Sequence, residues 1–213
     1  MSMVRLDSVN RGTPQPVPGR TTRSGIYKRP VTGPVEIAPL GLVDDAVLNR
    51  KHHGGVDQAV YLYFADDYAF WGEEGVDVTP GLFGENLTIS GVVGRDVAVG
   101  DRFGIGTVLL EVTSHRTPCA VFAARMGDPR FAKRFHKAGR PGAYCRVLAG
   151  GAVEAGMAVD LTPFSGARIT MSALIALDGA RSIDADFLRR ALTAPLHHKM
   201  RADYENRLAS QLL

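Results

Sequence analysis

Only two of the 213 residues are cysteine, Cys119 and Cys145, too few for the disulfide framework that staples small secreted domains. Long apolar runs are also missing. No segment approaches the roughly 18 uninterrupted apolar residues that a membrane-spanning helix needs, and Met1 to Asn10 alternates without the apolar centre of a signal segment. A soluble, cytoplasmic protein with no membrane partner is expected. Net charge is only +3, from 25 basic and 22 acidic side chains, a total too small to single out nucleic acid as a partner. Zinc signatures are absent: His115 and Cys119 are the only close pair, and neither Cys-x-x-Cys nor His-Glu-x-x-His occurs. Nor is there a P-loop, or a Gly-x-Gly-x-x-Gly turn after a strand, so the chain carries no flavin or NAD motif of its own.

Glycine is plentiful. The 24 Gly and 12 Pro argue against a helical bundle and mark corners between short strands, where positive φ is cheap for glycine. Strand periodicity is expected over Val4–Val9, Val35–Ala38, Ala59–Tyr63, Asn86–Ser90, Arg102–Ile105, Val108–Thr113 and Tyr144–Leu148. In the clearest of these, Val108, Leu110 and Val112 share one face and Leu109 and Glu111 the other. Helices are expected over Ala65–Gly72 and Phe122–Ala138, and after Phe164 over Ser172–Leu177, Asp184–Leu192 and Pro195–Leu212. The last carries Leu196, Met200, Tyr204, Leu208 and Leu212 as a packing stripe, and its exposed face is a candidate surface for pairing two chains. The expected architecture is mainly β with α: a β-barrel-like domain over 1–165, then a small three-helix module over 166–213. Asn10 to Pro34, with five prolines and four glycines, reads as a long functional loop.

Charge is unevenly spread. Residues 1–35 carry a net +5, 36–115 a net −9, 116–146 a net +7, and the remainder balances. If the fold joins the two basic blocks, they form a cavity for an anion such as a phosphate; otherwise they are two solvated surfaces. Lys51-His52-His53-Gly54-Gly55 precedes a strand, and its paired glycines let a ligand approach the backbone, or else it is a glycine hairpin with solvated histidines. Cys119 follows a strand beside Arg116 and the basic block, where positive charge favours the thiolate, a nucleophile and soft metal ligand. Cys145, inside a strand-like run, reads as core.

These segments together resemble a known family. Lys28 in Ser24-Gly25-Ile26-Tyr27-Lys28, the run His53-Gly54-Gly55-Val56-Asp57-Gln58-Ala59-Val60, Phe83-Gly84-Glu85-Asn86-Leu87, Gly100-Asp101, Arg116-Thr117-Pro118-Cys119 and Gly142-Ala143-Tyr144-Cys145-Arg146 are similar, in order and spacing, to the MOSC domain. That domain is named for the C-terminal part of molybdenum cofactor sulfurase. The helical tail resembles the extension of the stand-alone bacterial YiiM-like branch. Two positions depart from the pattern: Met157 stands where a Gly-Asp pair often recurs, and Cys145 replaces a commonly aromatic residue. The resemblance implies a site for the molybdenum cofactor (molybdopterin), with Cys119 either ligating molybdenum or carrying sulfur as a persulfide. It further implies reduction of small N-hydroxylated substrates, hydroxylaminopurine-type bases among them, with electrons from a separate reductase. A sulfur carrier and a non-catalytic binding module are the alternatives. Lys28, Lys51, His53, Gly54, Gly55, Asn86 and Arg116 are the candidates for holding pterin and phosphate, and the Asn10 to Pro34 loop is expected to close over them.

Overall fold

Val, Ile, Tyr and Phe dominate the extended segments because branched and aromatic side chains pack well on a pleated surface. The computed structural model describes residues 3–48 and 54–211. The chain begins with β1 (Arg5–Gly12), β2 (Gln15–Pro16), β3 (Arg23–Ser24), β4 (Lys28–Pro30), β5 (Val35–Ala38) and β6 (Gly41–Leu42). It continues through β7 (Val60–Phe64), α1 (Ala65–Glu73), β8 (Leu87–Ser90), β9 (Arg102–Ile105) and β10 (Val108–Ser114). Then come α2 (Ala120–Arg125), α3 (Phe131–Ala138), β11 (Ala143–Ala149), β12 (Gly151–Val153) and β13 (Asp160–Thr162), and last α4 (Met171–Ala176), α5 (Ala185–Leu192) and α6 (His198–Ser210).

Eight strands form one sheet in the order β13-β9-β10-β11-β7-β8-β1-β4, flanked by the smaller sheets β12-β5-β6 and β2-β3. Among the described residues only β7 and β8 pair in parallel, the connection running through α1. Outside the ladders, Leu6 N donates to Met157 O at 2.9 Å and Val159 N to Val4 O at 3.0 Å. The chain before β13 therefore lies against β1, and distant parts of the sheet approach each other. The sheet is barrel-like without a closed ladder among the described residues.

All five side chains of β7 are buried, because the strand has a core on each face. Val60, Leu62 and Phe64 enter a largely aliphatic core with Leu87, Val112 and Leu110, while Tyr61 and Tyr63 enter an aromatic cluster with Trp71, Phe83, Phe122, Phe131 and Phe135. In that cluster Trp71 lies parallel to Phe135 at 5.9 Å and its Nε1 donates to Tyr63 Oη at 2.8 Å. Tail residues Met171, Leu174, Leu188, Ala191, Leu196 and Tyr204 share the aliphatic core with the strands.

Three expectations need correction. The helix over Phe122–Ala138 is two, because Gly127 takes φ 64° and Pro129 lacks the amide that would continue it. The Asn10 to Pro34 loop contains the β2–β3 hairpin, and its Lys28–Pro30 segment is a true strand, antiparallel to β1 through Gly12↔Lys28. The last helix starts at His198, not Pro195, with His197 Nδ1 accepting from Lys199 N at 3.0 Å. Its packing stripe holds through Leu196, Met200, Tyr204 and Leu208; Leu212 lies outside the described residues.

The His197 cap carries a pH signature. Burial, reinforced by the neighbouring His198, lowers its pKa from 6.5 to about 4. Protonation would convert the capping nitrogen from acceptor to donor. The neutral ring's contribution is complete above pH 6.5 and is lost as pH falls from 6.5 through 4. Solvent screening reduces the loss to about 1–2 kcal/mol. His197→Asn keeps a side-chain acceptor at the cap but does not titrate. Urea midpoints at pH 7 and pH 4.5 should differ less in this variant than in the parent.

Candidate functional site

Six chain segments converge on one cavity of about 530 Å³. The β3–β4 connection supplies Gly25, Ile26 and Lys28, the stretch after β6 supplies Asp45 to Leu48, and the start of β7 supplies Gln58, Ala59 and Tyr61. Gly84 and Asn86 enter before β8, Arg116 and Cys119 between β10 and α2, and Tyr144 from β11. The walls meet closely because Gly25 has no side chain: a Cβ there would overlap the Ala46 carbonyl.

Lys28 is buried and ion-paired with Asp45. The Asp45 carboxylate also accepts from Gly12 N at 2.8 Å and from Asn86 Nδ2 at 2.9 Å. Asn86 is locked in turn, since its Oδ1 accepts from Tyr61 N at 3.1 Å. Burial pulls Lys28 below the ordinary lysine value, with the Asp45 carboxylate opposing it. Glu85, one residue from the cavity wall, is fully buried and accepts from Tyr68 Oη and Gly81 N, each at 2.6 Å. Its carboxyl is nevertheless raised by burial.

Arg116 differs from the other buried cations. It is 5% exposed, donates to the Phe83 carbonyl, and lies over the rings of Tyr61 at 5.1 Å and Phe122 at 4.5 Å. Among the described residues it has no ion pair with a carboxylate. Burial lowers its pKa, but Tyr61, Tyr144 and Cys119 outweigh that and the net shift is upward. Tyr61 and Tyr144 are held neutral by burial, with ring centroids 4.9 Å apart. Cys119, half-buried, is the residue preceding α2. A buried guanidinium, two phenol rings and a thiol thus share one wall, and the described residues of the cavity offer three cations, Arg23, Lys28 and Arg116, against the single carboxylate of Asp45. That donor set suits an anionic ligand with a soft-metal or electrophilic centre.

Of the residues singled out in the sequence, Lys28, Gly54, Asn86, Arg116 and Cys119 all face this cavity. Gly55 does not line it, and Lys51 and His53 lie outside the described residues. Cys145 is fully buried in the aliphatic core and burial drives its thiol pKa well up. Gly100-Asp101 is structural: Asp101 accepts from Ala98 N at 2.9 Å and Phe164 N at 2.8 Å and pairs with Arg168. Part of the 116–146 basic block is taken up by ion pairs. Arg140 binds Asp67 at 2.7 Å and Arg146 binds Asp57 at 2.9 Å. Asp45 carried no local signal, being one of two adjacent acids in a turn. Tyr61 and Tyr144 were findable from strand register, since they are direct cross-strand partners.

The model of the MOSC domain matches residues 49–160. The chain belongs to the MOSC domain family. YflK of Bacillus subtilis (strain 168) is 34% identical over 158 residues, covering 72% of this chain and 71% of YflK. A protein of Gibberella moniliformis (strain M3125 / FGSC 7600) named reductase is 35% identical over 150 residues, which are 67% of this chain but only 26% of that much longer protein. The crystal structure of YiiM from Geobacillus stearothermophilus superposes with a TM-score of 0.79 at 28% identity, covering 96% of this chain and 99% of YiiM. That coverage extends the match beyond the MOSC segment into the helical tail.

Proposed function

We propose that the cavity binds the molybdenum cofactor and that the protein reduces small N-hydroxylated compounds, with electrons delivered by a separate reductase. The observation that carries this reading is Arg116. A buried guanidinium with no carboxylate partner among the described residues is costly to maintain, and an anionic ligand in the cavity removes that cost. Membership of the MOSC family and the reductase-named relative point to the same chemistry.

The residues present fit the group. Arg116 and Lys28 would hold its phosphate and pterin oxygens, Asn86 and the Gly54 backbone would hydrogen-bond it, and the Cys119 thiolate is the soft ligand that molybdenum favours. When bound, the cofactor supplies the electron pair for the reduction. In the overall reaction the N–O bond breaks, two electrons and two protons are consumed, and the amine and water leave. Lys28 is buried against the cavity, its charge disfavoured by desolvation and favoured by Asp45, which suits it to an anionic group of the ligand. The phenol rings of Tyr61 and Tyr144 line the cavity together with Cys119.

Purification from a molybdenum-competent host tests this. Molybdenum and pterin are expected in near-equal amounts with protein, together with reductase-coupled turnover of an N-hydroxylated base. Metal-free protein without turnover would overturn the reading. An intact mass showing a labile extra sulfur atom on Cys119, with no molybdenum, would instead favour sulfur delivery.

A further inference from the structure

The Cys119 segment is held by little of its own backbone: the amides of His115, Arg116 and Thr117 donate to no backbone carbonyl among the described residues. Side chains hold it instead, and one of them comes from the helical tail. Asp178, just after α4, accepts from Thr117 Oγ1 at 2.8 Å and binds His115 Nε2 at 2.9 Å, the imidazole being almost fully buried. Burial pushes the Asp178 carboxyl up, but the hydrogen bonds from His115 and Thr117 and the neighbouring imidazoles together outweigh it and keep the carboxyl below its ordinary value.

A second part of the cavity lining has a matching attachment. Asp57 belongs to the Gly54–Gln58 segment whose Gly54 and Gln58 face the cavity. Its carboxylate accepts from His198 N at 2.9 Å and from His198 Nδ1 at 2.7 Å, at the first turn of α6. Arg146 completes this clasp, reaching Asp57 at 2.9 Å and the carbonyls of Pro195 and Leu196 at 3.2 Å. Asp57, His197 and His198 also bring potential metal-ligand atoms within 4.8 Å of one another. Those groups already serve each other, however: Asp57 is neutralised by Arg146, and His197 Nδ1 is committed to the helix cap.

We propose that Asp178 and His198 are positioning residues through which the C-terminal helices set the two walls of the cavity, Asp178 fixing the Cys119 wall and His198 the Gly54–Gln58 wall. The proposal rests on the cavity being the functional site, but its test needs no cofactor. Each clasp joins side chains far apart in sequence, so the tail acts on the site by direct contact and not only by filling the core.

Hydrogen exchange and iodoacetamide labelling of the full-length, cofactor-free protein give the test. In Asp178→Ala, exchange at Ala123, whose amide donates to the Cys119 carbonyl at 3.1 Å, should rise about tenfold and Cys119 alkylation about threefold, with exchange at 54–58 unchanged. In His198→Ala the pattern should reverse, with 54–58 faster and Cys119 alkylation unaltered. Asp178→Asn keeps an oxygen for the Thr117 hydroxyl and should restore most of the parental alkylation rate. If Asp178→Ala does not fold, Thr117→Val removes one bond of the same clasp and should give the same local pattern, smaller in size. A uniform rise across the β-sheet, or no local change in either segment, would overturn the proposal. Absence of molybdenum from the parent protein would sink the functional reading while leaving this exchange pattern to be decided separately.

Discussion

Cys119→Ser is expected to lose reductase turnover by about three orders of magnitude while its melting temperature stays within a few degrees of the parent. Cys119 is only half-buried, so exchanging sulfur for oxygen changes little packing. The chemical change is large: a serine hydroxyl stays protonated near neutral pH and is a hard ligand where a soft one is required. Cys145 cannot stand in, because it is fully buried within β11 and burial holds its thiol protonated. Cys145→Ser is therefore the control. It should cost stability, since a hydroxyl replaces an apolar thiol in the core, yet retain turnover per folded molecule. Steady-state rates normalised to circular dichroism amplitude separate the two variants. Equal rates for Cys119→Ser and the parent would remove Cys119 from the chemistry.

The second large effect is expected at Arg116. Arg116→Met should leave the fold as stable as the parent or up to about 2 kcal/mol more stable, while cofactor affinity falls by roughly two orders of magnitude. The two changes share a cause. The guanidinium is held at 5% exposure by a carbonyl and two aromatic faces, none of which neutralises it. Methionine has similar reach, packs against Tyr61 and Phe122, and removes the desolvated charge. The loss is one hydrogen bond to the Phe83 carbonyl, worth about 1 kcal/mol. Thermal melts of cofactor-free protein and molybdenum content of protein from a competent host measure both sides. A strongly destabilised variant would mean that Arg116 serves the fold rather than a ligand.

The sequence alone disclosed local structure well. Val35–Ala38 and Arg102–Ile105 form as expected, and β7, β8, β10 and β11 differ from expectation by a residue or so at their ends, because alternation and glycine corners are recorded in neighbouring residues. It disclosed long-range pairing poorly. The short β4 is hidden among prolines and becomes a strand only because β1 extends to Gly12 and accepts it. The site shows the same division. Lys28, Asn86, Arg116 and Cys119 stood out by residue type and context, whereas Asp45 acquires meaning only when the fold sets it between Lys28 and Asn86. Summed charge misled in one respect: Arg140 and Arg146 added to an apparent basic block, yet their partners Asp67 and Asp57 lie in the acidic block that precedes it.

The separation of aliphatic and aromatic packing on the two faces of β7 makes the protein its own spectroscopic reporter. Trp71 is the only tryptophan and sits wholly in the aromatic cluster, whose Tyr61 forms part of the cavity wall. Its fluorescence therefore follows the half of the molecule next to the cavity, whereas far-ultraviolet circular dichroism averages over every strand and helix. Coincident denaturation curves from the two signals would mean that the two packed regions melt as one cooperative unit. A fluorescence change that precedes the loss of dichroism would mean that the cavity side loosens first.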